Sequence, residues 1–203
     1  MFAQVIQGRT SDQEGLRAAL DRWMEEVRPG SIGWLGSTAG ITDDGTFVAV
    51  ARFESATAAQ RNSERPEQRR WWEETSRLLD GDVSFRDSED VLVDLQGDPD
   101  LAGFVQVMRG RVTDTDRAKE VMAQVPDDVM AAYRPDVLGS LVISHPGGEW
   151  TQVIYFTSER DAREGERKEP PRELQNAMEE LGKLSVGETV FHDLRQPLLQ
   201  SAS

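Results

Sequence analysis

Apolar and polar positions near the start of the chain follow first the pattern of a strand and then that of a helix. Apolar side chains are concentrated in residues 2–9, with Gly8 near the end, and this predicts a strand. Residues 11–14, Ser-Asp-Gln-Glu, have the pattern of a capping box with serine at the N-cap. Leu16 and Leu20 follow at helical spacing, so a helix is predicted that ends at the Pro-Gly of residues 29–30.

The pattern that follows predicts a hairpin, a second helix and a closing strand. Residues 43–45, Asp-Asp-Gly, separate two β-rich stretches, and an Asp-Gly pair is a strong hairpin signal. Pro66 is expected to break or bend the second helix, because proline lacks a backbone N–H. The predicted elements are a strand over residues 34–42, a strand over 46–54, a helix from residue 55 and a strand over 83–86, extended by residues 91–95.

The second half of the chain repeats the first. FAQVIQGRTSDQE from residue 2 aligns with FVQVMRGRVTDTD from residue 104. Three further pairs of segments align in the same order: residues 35–37 with 138–140, 53–55 with 156–158, and 84–87 with 190–193. The difference in residue number between aligned positions rises only from 102 to about 106 along the chain. We therefore predict a first repeat over residues 1–96, a turn-rich linker over 97–103 and a second repeat over 104–203.

Each repeat has the element order βαββαβ, which is the order of a ferredoxin-like α+β unit. Such a unit covers one face of its sheet with helices and leaves the other face bare. Two tandem units can cover each other's bare faces, which predicts a pseudo-dimeric α/β barrel. This element order and the internal repeat resemble the dimeric α/β-barrel superfamily, fused into one chain. This resemblance covers most of residues 2–193, and within the superfamily the chain is similar to the antibiotic-biosynthesis-type monooxygenases.

A glutamine stands between large apolar residues on the first strand of each repeat, at Gln4 and Gln106. Burying an amide costs about 1–3 kcal/mol unless it is hydrogen-bonded. Each glutamine therefore either forms hydrogen bonds with local backbone or a neighbouring strand, or provides a polar group inside a ligand pocket. On one face of the third strand, the small pair Ala49 and Ala51 lies between two phenylalanines and leaves room, either for a helix to pack closely or for a ligand. The second repeat has bulkier residues on that face. A roomier pocket is expected in the first repeat.

Arginine and tryptophan residues give further candidates in the first repeat. Arg52, which aligns with Tyr155, either binds an acidic group in a pocket or forms an ion pair with a nearby carboxylate. Trp71 and Trp72 are adjacent on a predicted helix, where neighbours point about 100° apart, so we do not expect both to face the same pocket. We expect one of them in the core and the other at a rim, with Trp34 near enough to meet them.

Composition removes several classes of function. The 203 residues include no cysteine, which excludes disulfides, thiolate metal sites and cysteine nucleophiles. A formal charge of −14 disfavours nucleic-acid binding, and no apolar stretch approaches the roughly 20 residues of a membrane helix. A cytoplasmic protein without nucleic-acid or membrane partners is expected. Of the two histidines, His145 is expected to be exposed in a hairpin, while His192 is a candidate pocket base.

The resemblance implies oxidation of a small aromatic or apolar substrate without a metal or an organic cofactor, in a pocket between sheet and helices. It implies catalytic roles for Arg52, Gln4 and Trp71. The substrate-binding residues that it implies are Trp34, Phe47, Ala49, Trp72, Gln106, Tyr155 and His192. The haem-degrading branch of the superfamily carries an asparagine on the first strand and a histidine on the second helix. Gln4 and helices without histidine depart from that pattern, so no haem is expected.

Two other functions stay open at this point. The first is a ligand-binding or stress-related barrel without turnover, and the second is a scaffold in which duplication merely gives a stable monomer. Duplication also predicts asymmetry, since one repeat can lose its functional site while the other keeps it. We expect the first repeat to have kept the site. The expected partner is a small-molecule ligand, and the chain is expected to be a monomeric pseudo-dimer or a homodimer.

Overall fold

The computed structural model describes residues 1–202, which divide into two units. Unit 1 comprises Met1–Val91 together with the residues from Gln196 onward, and unit 2 comprises Leu92–Arg195. Each unit contains one five-stranded sheet. The linker expected at residues 97–103 lies within unit 2 and includes a short 3₁₀ turn at Pro99–Leu101. In the described part of the chain, no helix is long and apolar enough to cross a membrane.

Strands and α-helices alternate along the described chain in two similar series. The strands are β1 (Phe2–Arg9), β2 (Trp34–Ile41), β3 (Thr46–Phe53), β4 (Ser84–Ser88), β5 (Val91–Leu95), β6 (Phe104–Arg111), β7 (Val137–Ser144), β8 (Glu149–Phe156), β9 (Val190–Leu194) and β10 (Leu198–Ser201). The α-helices are α1 (Gln13–Arg22), α2 (Ala56–Ser63), α3 (Pro66–Thr75), α4 (Thr115–Met122), α5 (Asp127–Tyr133), α6 (Glu159–Glu166) and α7 (Arg172–Leu184).

The predicted βαββαβ order is confirmed in both units. The sheet of unit 1 has the order β10-β2-β3-β1-β4, and the sheet of unit 2 has the order β5-β7-β8-β6-β9. In both sheets the strand at the start of the repeat lies between the third and fourth strands, as in a ferredoxin-like unit. The two helical segments of each second connection are separated at Pro66 and at Pro170-Pro171, as expected from proline.

The fifth strand of each sheet comes from the segment that follows the βαββαβ elements of the other repeat. β10 pairs with β2 in unit 1, and β5 lies beside β7 in unit 2. The expectation that residues 91–95 extend the closing strand of the first repeat is therefore wrong. β5 instead supplies hydrogen-bonding partners to an edge that the second repeat leaves open, and Gly139 of β7 packs against its backbone.

Helix α1 begins one residue later than the capping-box pattern predicted. Asp12, not Ser11, is the N-cap residue, and its carboxylate accepts a hydrogen bond of 2.9 Å from the Gly15 N–H. The helix then passes into a π-helical turn over Trp23–Val27, followed by a 3₁₀ turn over Arg28–Gly30. A π-helical turn is wider than an α-helical one and is frequent at functional sites. In unit 1 this turn directs Trp23 toward the sheet.

The core of unit 1 lies between one face of the sheet and the helices α1 and α3. Leu16 and Leu20 of α1 pack with Ile41 and Phe47 of the sheet, and Trp71 of α3 packs against this cluster. Burial of one such leucine contributes roughly 1.5–3 kcal/mol. This packing fixes the distance between helices and sheet, and therefore the width of the space between them.

His145 is buried in unit 2, so the expected exposure is wrong. Its side chain is 8% exposed, and its Nε2 lies 3.0 Å from the Thr151 hydroxyl. The hairpin turns through Pro146–Gly148, and the His145 N–H donates to the Glu149 carbonyl at 2.8 Å. The imidazole therefore lies beside Thr151 of β8 and is shielded from solvent.

Candidate functional site

A cavity of about 480 Å³ lies in unit 1 between the sheet and the helices. Its volume falls within the range of roughly 300–1,000 Å³ that is typical of small-molecule sites. The sheet wall comes from the alternate positions of β1 and β3, and the opposite wall comes from α2, α3 and the π-helical turn. The strand that closes one side is β10, which contributes Leu198.

Small side chains in β3 create much of this space. Ala49 and Ala51 lie in the cavity wall between Phe47 and Phe53, on the face that strand alternation assigned to them. In β8 the positions that align with Ala49 and Ala51 are Gln152 and Ile154. The cavity therefore lies where the first repeat has small residues and the second has larger ones.

The polar part of the cavity is a hydrogen-bonded pair, Gln4 and Asp87. The two residues face each other across β1 and β4, and the Gln4 Nε2 donates to the Asp87 Oδ1 at 2.9 Å. Both side chains lie in the cavity wall. Gln106 of unit 2 makes the corresponding bond of 3.0 Å to Asp193. The glutamines thus pair with a neighbouring strand, and in unit 1 the pair also faces the cavity.

Asp87 was missed by reasoning from the sequence, although a signal for it was present. The aligned segments 84–87 and 190–193 both end in aspartate. That coincidence, together with a glutamine in the first strand of both repeats, would have indicated a cross-strand pair. The register of β1 against β4 was not available from the pattern, so the partner of Gln4 could not be identified.

Three tryptophans line the helical side of the cavity. Trp23 and Trp71 have ring centroids 6.3 Å apart, and Trp71 and Trp72 have centroids 6.0 Å apart. The indole N–H of Trp71 donates to the Ala19 carbonyl at 2.7 Å, and that of Trp23 donates to the Gln68 side chain at 2.8 Å. These bonds hold the two rings in fixed orientations.

The expectation that only one of Trp71 and Trp72 could face a pocket is wrong. Both line the cavity, because indole rings are long enough to reach it from directions that diverge along the helix. Trp71 turns toward α1, whereas Trp72 turns toward β4, where its ring meets that of Phe85 at a centroid distance of 5.4 Å. The two rings together therefore border a wide stretch of the cavity.

Trp34 and Arg52 do not belong to the cavity wall. Trp34 lies behind Trp23, with ring centroids 5.8 Å apart, and its indole N–H donates to the Ser37 hydroxyl at 2.8 Å. Arg52 lies on the other face of β3 from Ala49 and Ala51, because successive side chains of a strand alternate. Its guanidinium lies beside Gly36 of β2. Of the expected site residues in unit 1, the cavity brings together Gln4, Phe47, Ala49, Trp71 and Trp72.

The candidates in unit 2 are divided between the two faces of its sheet. Gln106 faces the helices with Asp193, whereas Tyr155 and His192 are buried on the opposite face beside Val105 and Val107. Sequence alone could not show this division for His192, since its strand register was unknown. These three residues do not form one constellation within unit 2.

A cation occupies the region near Gln106. The guanidinium of Arg163 forms an ion pair with Asp193 and lies with its Cζ 5.2 Å from the centre of the Phe104 ring. Burial opposes the charge of Arg163, but the nearby carboxylates of Asp193 and Glu166 outweigh it and raise the pKa of the guanidinium. In the described residues no group of three metal-ligating side chains lies together.

Solved structures of low sequence identity share this architecture over nearly the whole chain. A candidate monooxygenase from Lactobacillus acidophilus covers 98% of this chain and 99% of its own, with a TM-score of 0.74 and 10% identity. A candidate monooxygenase from Fusobacterium nucleatum has a TM-score of 0.77 and 11% identity, covering 98% and 94%. The fold is a tandem ferredoxin-like α+β fold. An anthrone oxidase-like protein has a TM-score of 0.69 and 13% identity, covering 98% and 92%.

Both units therefore share the ferredoxin-like fold of these solved structures. Comparisons with protein-family models and with curated proteins give no match. At 10–13% sequence identity, the similarity to solved structures shows the fold but does not show which reaction the protein catalyses. The function must therefore be argued from the cavity of unit 1.

Proposed function

We propose that unit 1 binds a small aromatic molecule in its cavity and promotes oxidation of that molecule by dioxygen, in a monooxygenase-like reaction. The observation that carries this proposal is the combination of aromatic and apolar walls with the hydrogen-bonded Gln4–Asp87 pair. Flat rings fit between the tryptophans of the helical wall and the small residues of β3. The amide–carboxylate pair supplies polar groups at one side of such a ring.

The proposed chemistry begins with transfer of a proton from the substrate to the Asp87 carboxylate. Removing a proton from an activated ring methylene or a phenol makes the ring electron-rich, and an electron-rich ring can react with dioxygen. For a ring methylene, one O₂ converts the CH₂ group to a carbonyl and releases one water, so no further reductant is required. The Gln4 amide holds the carboxylate in position through its 2.9 Å hydrogen bond. Trp71 and Trp72 would orient the ring by stacking.

This proposal assigns to Gln4 and Asp87 the polar role that the sequence suggested for Arg52. Arg52 lies on the other face of β3, and a guanidinium there has no path to the cavity without crossing the sheet. Descriptions of structural neighbours as candidate monooxygenases and as an anthrone oxidase-like protein support the reaction class. Anthrone, which carries an activated methylene between two rings, is therefore the first substrate to test.

The test measures oxygen uptake with anthrone and quenching of tryptophan fluorescence on binding. Ala51→Ile places in the cavity the side chain that unit 2 has at the aligned position, Ile154. We expect it to weaken binding at least about tenfold and to reduce uptake, because extra bulk in a packed wall displaces the ligand. Arg52→Ala is the matched control, since it changes the next residue of the strand on the opposite face. Equal loss in both variants would contradict the assignment of this cavity.

A non-enzymatic role for the same cavity gives a different result. Quenching of tryptophan fluorescence by anthrone, with loss in Ala51→Ile but no oxygen uptake above the protein-free rate, would indicate a ligand-binding protein without turnover. The absence of both quenching and uptake would overturn both versions of the proposal for anthrone.

A further inference from the structure

We propose that the unit 1 cavity also accepts ligands with a cationic group, an ammonium or a guanidinium, which binds beside Asp87. This inference rests on the proposed function only in taking the cavity as a binding site, and it names the class of molecule that binds there. The two units differ at this place, because unit 2 has an internal cation there.

In unit 2, the cation is held between an aromatic ring and a carboxylate. The Arg163 guanidinium pairs with the Asp193 Oδ2 and lies 5.2 Å from the centre of the Phe104 ring. The Asp193 Oδ1 accepts the hydrogen bond of the Gln106 amide at 3.0 Å. Phe104, Gln106 and Asp193 thus form a receptor for a planar cation, and the protein itself provides that cation.

Unit 1 keeps all three members of this receptor. Phe2 aligns with Phe104, Gln4 with Gln106, and Asp87 with Asp193, as both the sequence repeat and the strand registers show. The Asp87 Oδ1 accepts from the Gln4 amide at 2.9 Å, which repeats the arrangement in unit 2. Phe2, Gln4 and Asp87 all line the cavity.

In the described residues of unit 1, a glutamine stands where unit 2 has its internal cation. Helices α2 and α6 have eight residues each, and a serine hydroxyl caps both N-termini, so their positions correspond one to one. Gln60 stands at the position of Arg163, and its amide donates to Glu64 at 3.1 Å rather than to Asp87. Gln60 lies in the wall of the cavity.

The ionic neighbours of Arg163 are also replaced in unit 1. Glu159 and Glu166, which both pair with Arg163, correspond to Ala56 and Ser63. Both smaller residues line the cavity. The space that a network of charged side chains occupies in unit 2 is therefore open in unit 1, while the carboxylate that receives the cation has been kept.

Aromatic rings and net charge favour the same kind of ligand. Trp71 and Trp72 face the cavity, and a cation within about 6 Å of an indole centre is attracted to the ring face. The formal charge of −14 also raises the local concentration of cations around the protein. A ligand with an aromatic body and an amine or guanidine end would use both the tryptophan wall and the Phe2–Asp87 receptor.

The test compares 2-phenylethylammonium with 2-phenylethanol, which has nearly the same shape but no charge. Binding to the whole chain is followed by calorimetry and by tryptophan fluorescence at low salt. We expect the ammonium to bind at least about threefold more tightly than the alcohol. Asp87→Asn should abolish that preference, whereas Glu89→Gln should keep it. Glu89→Gln removes the same charge two residues further along, outside the cavity wall.

A second variant introduces into unit 1 the internal cation that unit 2 has. Gln60→Arg gives unit 1 the residue that unit 2 has at this position, and we expect it to weaken binding of the ammonium at least about threefold. Binding that is equally tight for ammonium and alcohol in the unmodified protein would overturn the inference. A preference that persists in Asp87→Asn would overturn it as well.

These outcomes are separate from those of the proposed function. If anthrone is oxidised but the ammonium is not preferred over the alcohol, the proposed reaction stands and the cationic ligand is wrong. If the ammonium preference depends on Asp87 but no aromatic substrate drives oxygen uptake, the cationic ligand stands and the reaction is wrong.

Discussion

Hydroxyl and carboxylate groups stabilise the tight turn between β2 and β3. The Thr42 hydroxyl donates to the Asp44 carboxylate and accepts a hydrogen bond of 3.0 Å from the Thr46 N–H. The hydrogen bond from Thr42, and next that from the Thr46 backbone, lower the pKa of Asp44 below its ordinary value. Because the folded state favours the ionised carboxylate, Asp44 contributes stability above its unfolded pKa and loses it as the pH falls through the lowered value.

Thr42→Val should make this turn less stable in a pH-dependent manner. At pH 7 we expect the free energy of unfolding to fall by about 0.5–1 kcal/mol, near the low end for a hydrogen bond because the exposed carboxylate is screened. The deficit should shrink below about pH 4, where Asp44 becomes protonated in the unfolded chain. Urea unfolding of both proteins at pH 7 and pH 3 measures this loss of unfolding free energy. An equal loss at both pH values would contradict the role of Asp44.

A buried ion pair provides a second test at the scale of residues. Arg134 donates three hydrogen bonds of 2.7–3.3 Å to the Asp136 carboxylate, and their side chains are 14% and 8% exposed. Arg134→Leu leaves the Asp136 charge buried without its partner, so we expect a loss of about 3 kcal/mol in the free energy of unfolding. Arg160→Leu, at an exposed pair, should leave the urea midpoint nearly unchanged. Similar effects of the two variants would contradict the prediction.

At the scale of elements, the last strand completes both the sheet and the cavity of unit 1. β10 pairs with β2 from Leu198 opposite Ala39 to Ser201 opposite Gly36. Leu198 also packs against the core cluster of the unit and lines the cavity. Without β10, the edge of β2 would expose unpaired backbone groups, which is a known route to association between chains.

A chain that ends after Arg195 tests this role of β10. We expect its melting temperature to fall by at least about 4 °C, since the loss of the Leu198 packing and of strand pairing exceeds about 1 kcal/mol. Light scattering should show association through the free edge of β2. A chain that ends after Ser201 retains β10 and is the matched control. An unchanged melting temperature after removal of β10 would show that this strand contributes little to unit 1.

The sequence allowed the element order to be predicted, but not the membership of every strand in a sheet. The repeat and the hairpin at Asp43-Asp44-Gly45 were sufficient for the βαββαβ order, because both are local patterns. The partner of β5 was not predictable, since an isolated five-residue strand carries no information on which edge it joins. β10 was missed because four residues are too few for an alternation to stand out. Phe47 and Ala49 were placed correctly by alternation, whereas Asp87 required the register of β4.

At the scale of the whole molecule, the asymmetry between units predicts the number of ligands bound. Unit 1 has the open cavity, and in unit 2 Arg163 occupies the corresponding receptor. We therefore expect one molecule of 2-phenylethylammonium per chain in calorimetry, with affinity that weakens as salt is raised from about 10 to 300 mM, because salt screens exposed charges. Two equivalent sites per chain would contradict this assignment.

The discontinuity of unit 1 has a consequence for biosynthesis. Residues 1–91 leave the ribosome first, but the strand that completes their sheet starts at Leu198. At roughly 5–20 residues per second, the ribosome needs about 5–20 s to make the intervening segment. During that interval β2 is an open edge on the nascent chain, so the first unit can reach its final form only after Leu198–Ser201 has been synthesised. Synonymous codons that slow translation between residues 92 and 195 should therefore increase aggregation, although the finished protein is unchanged.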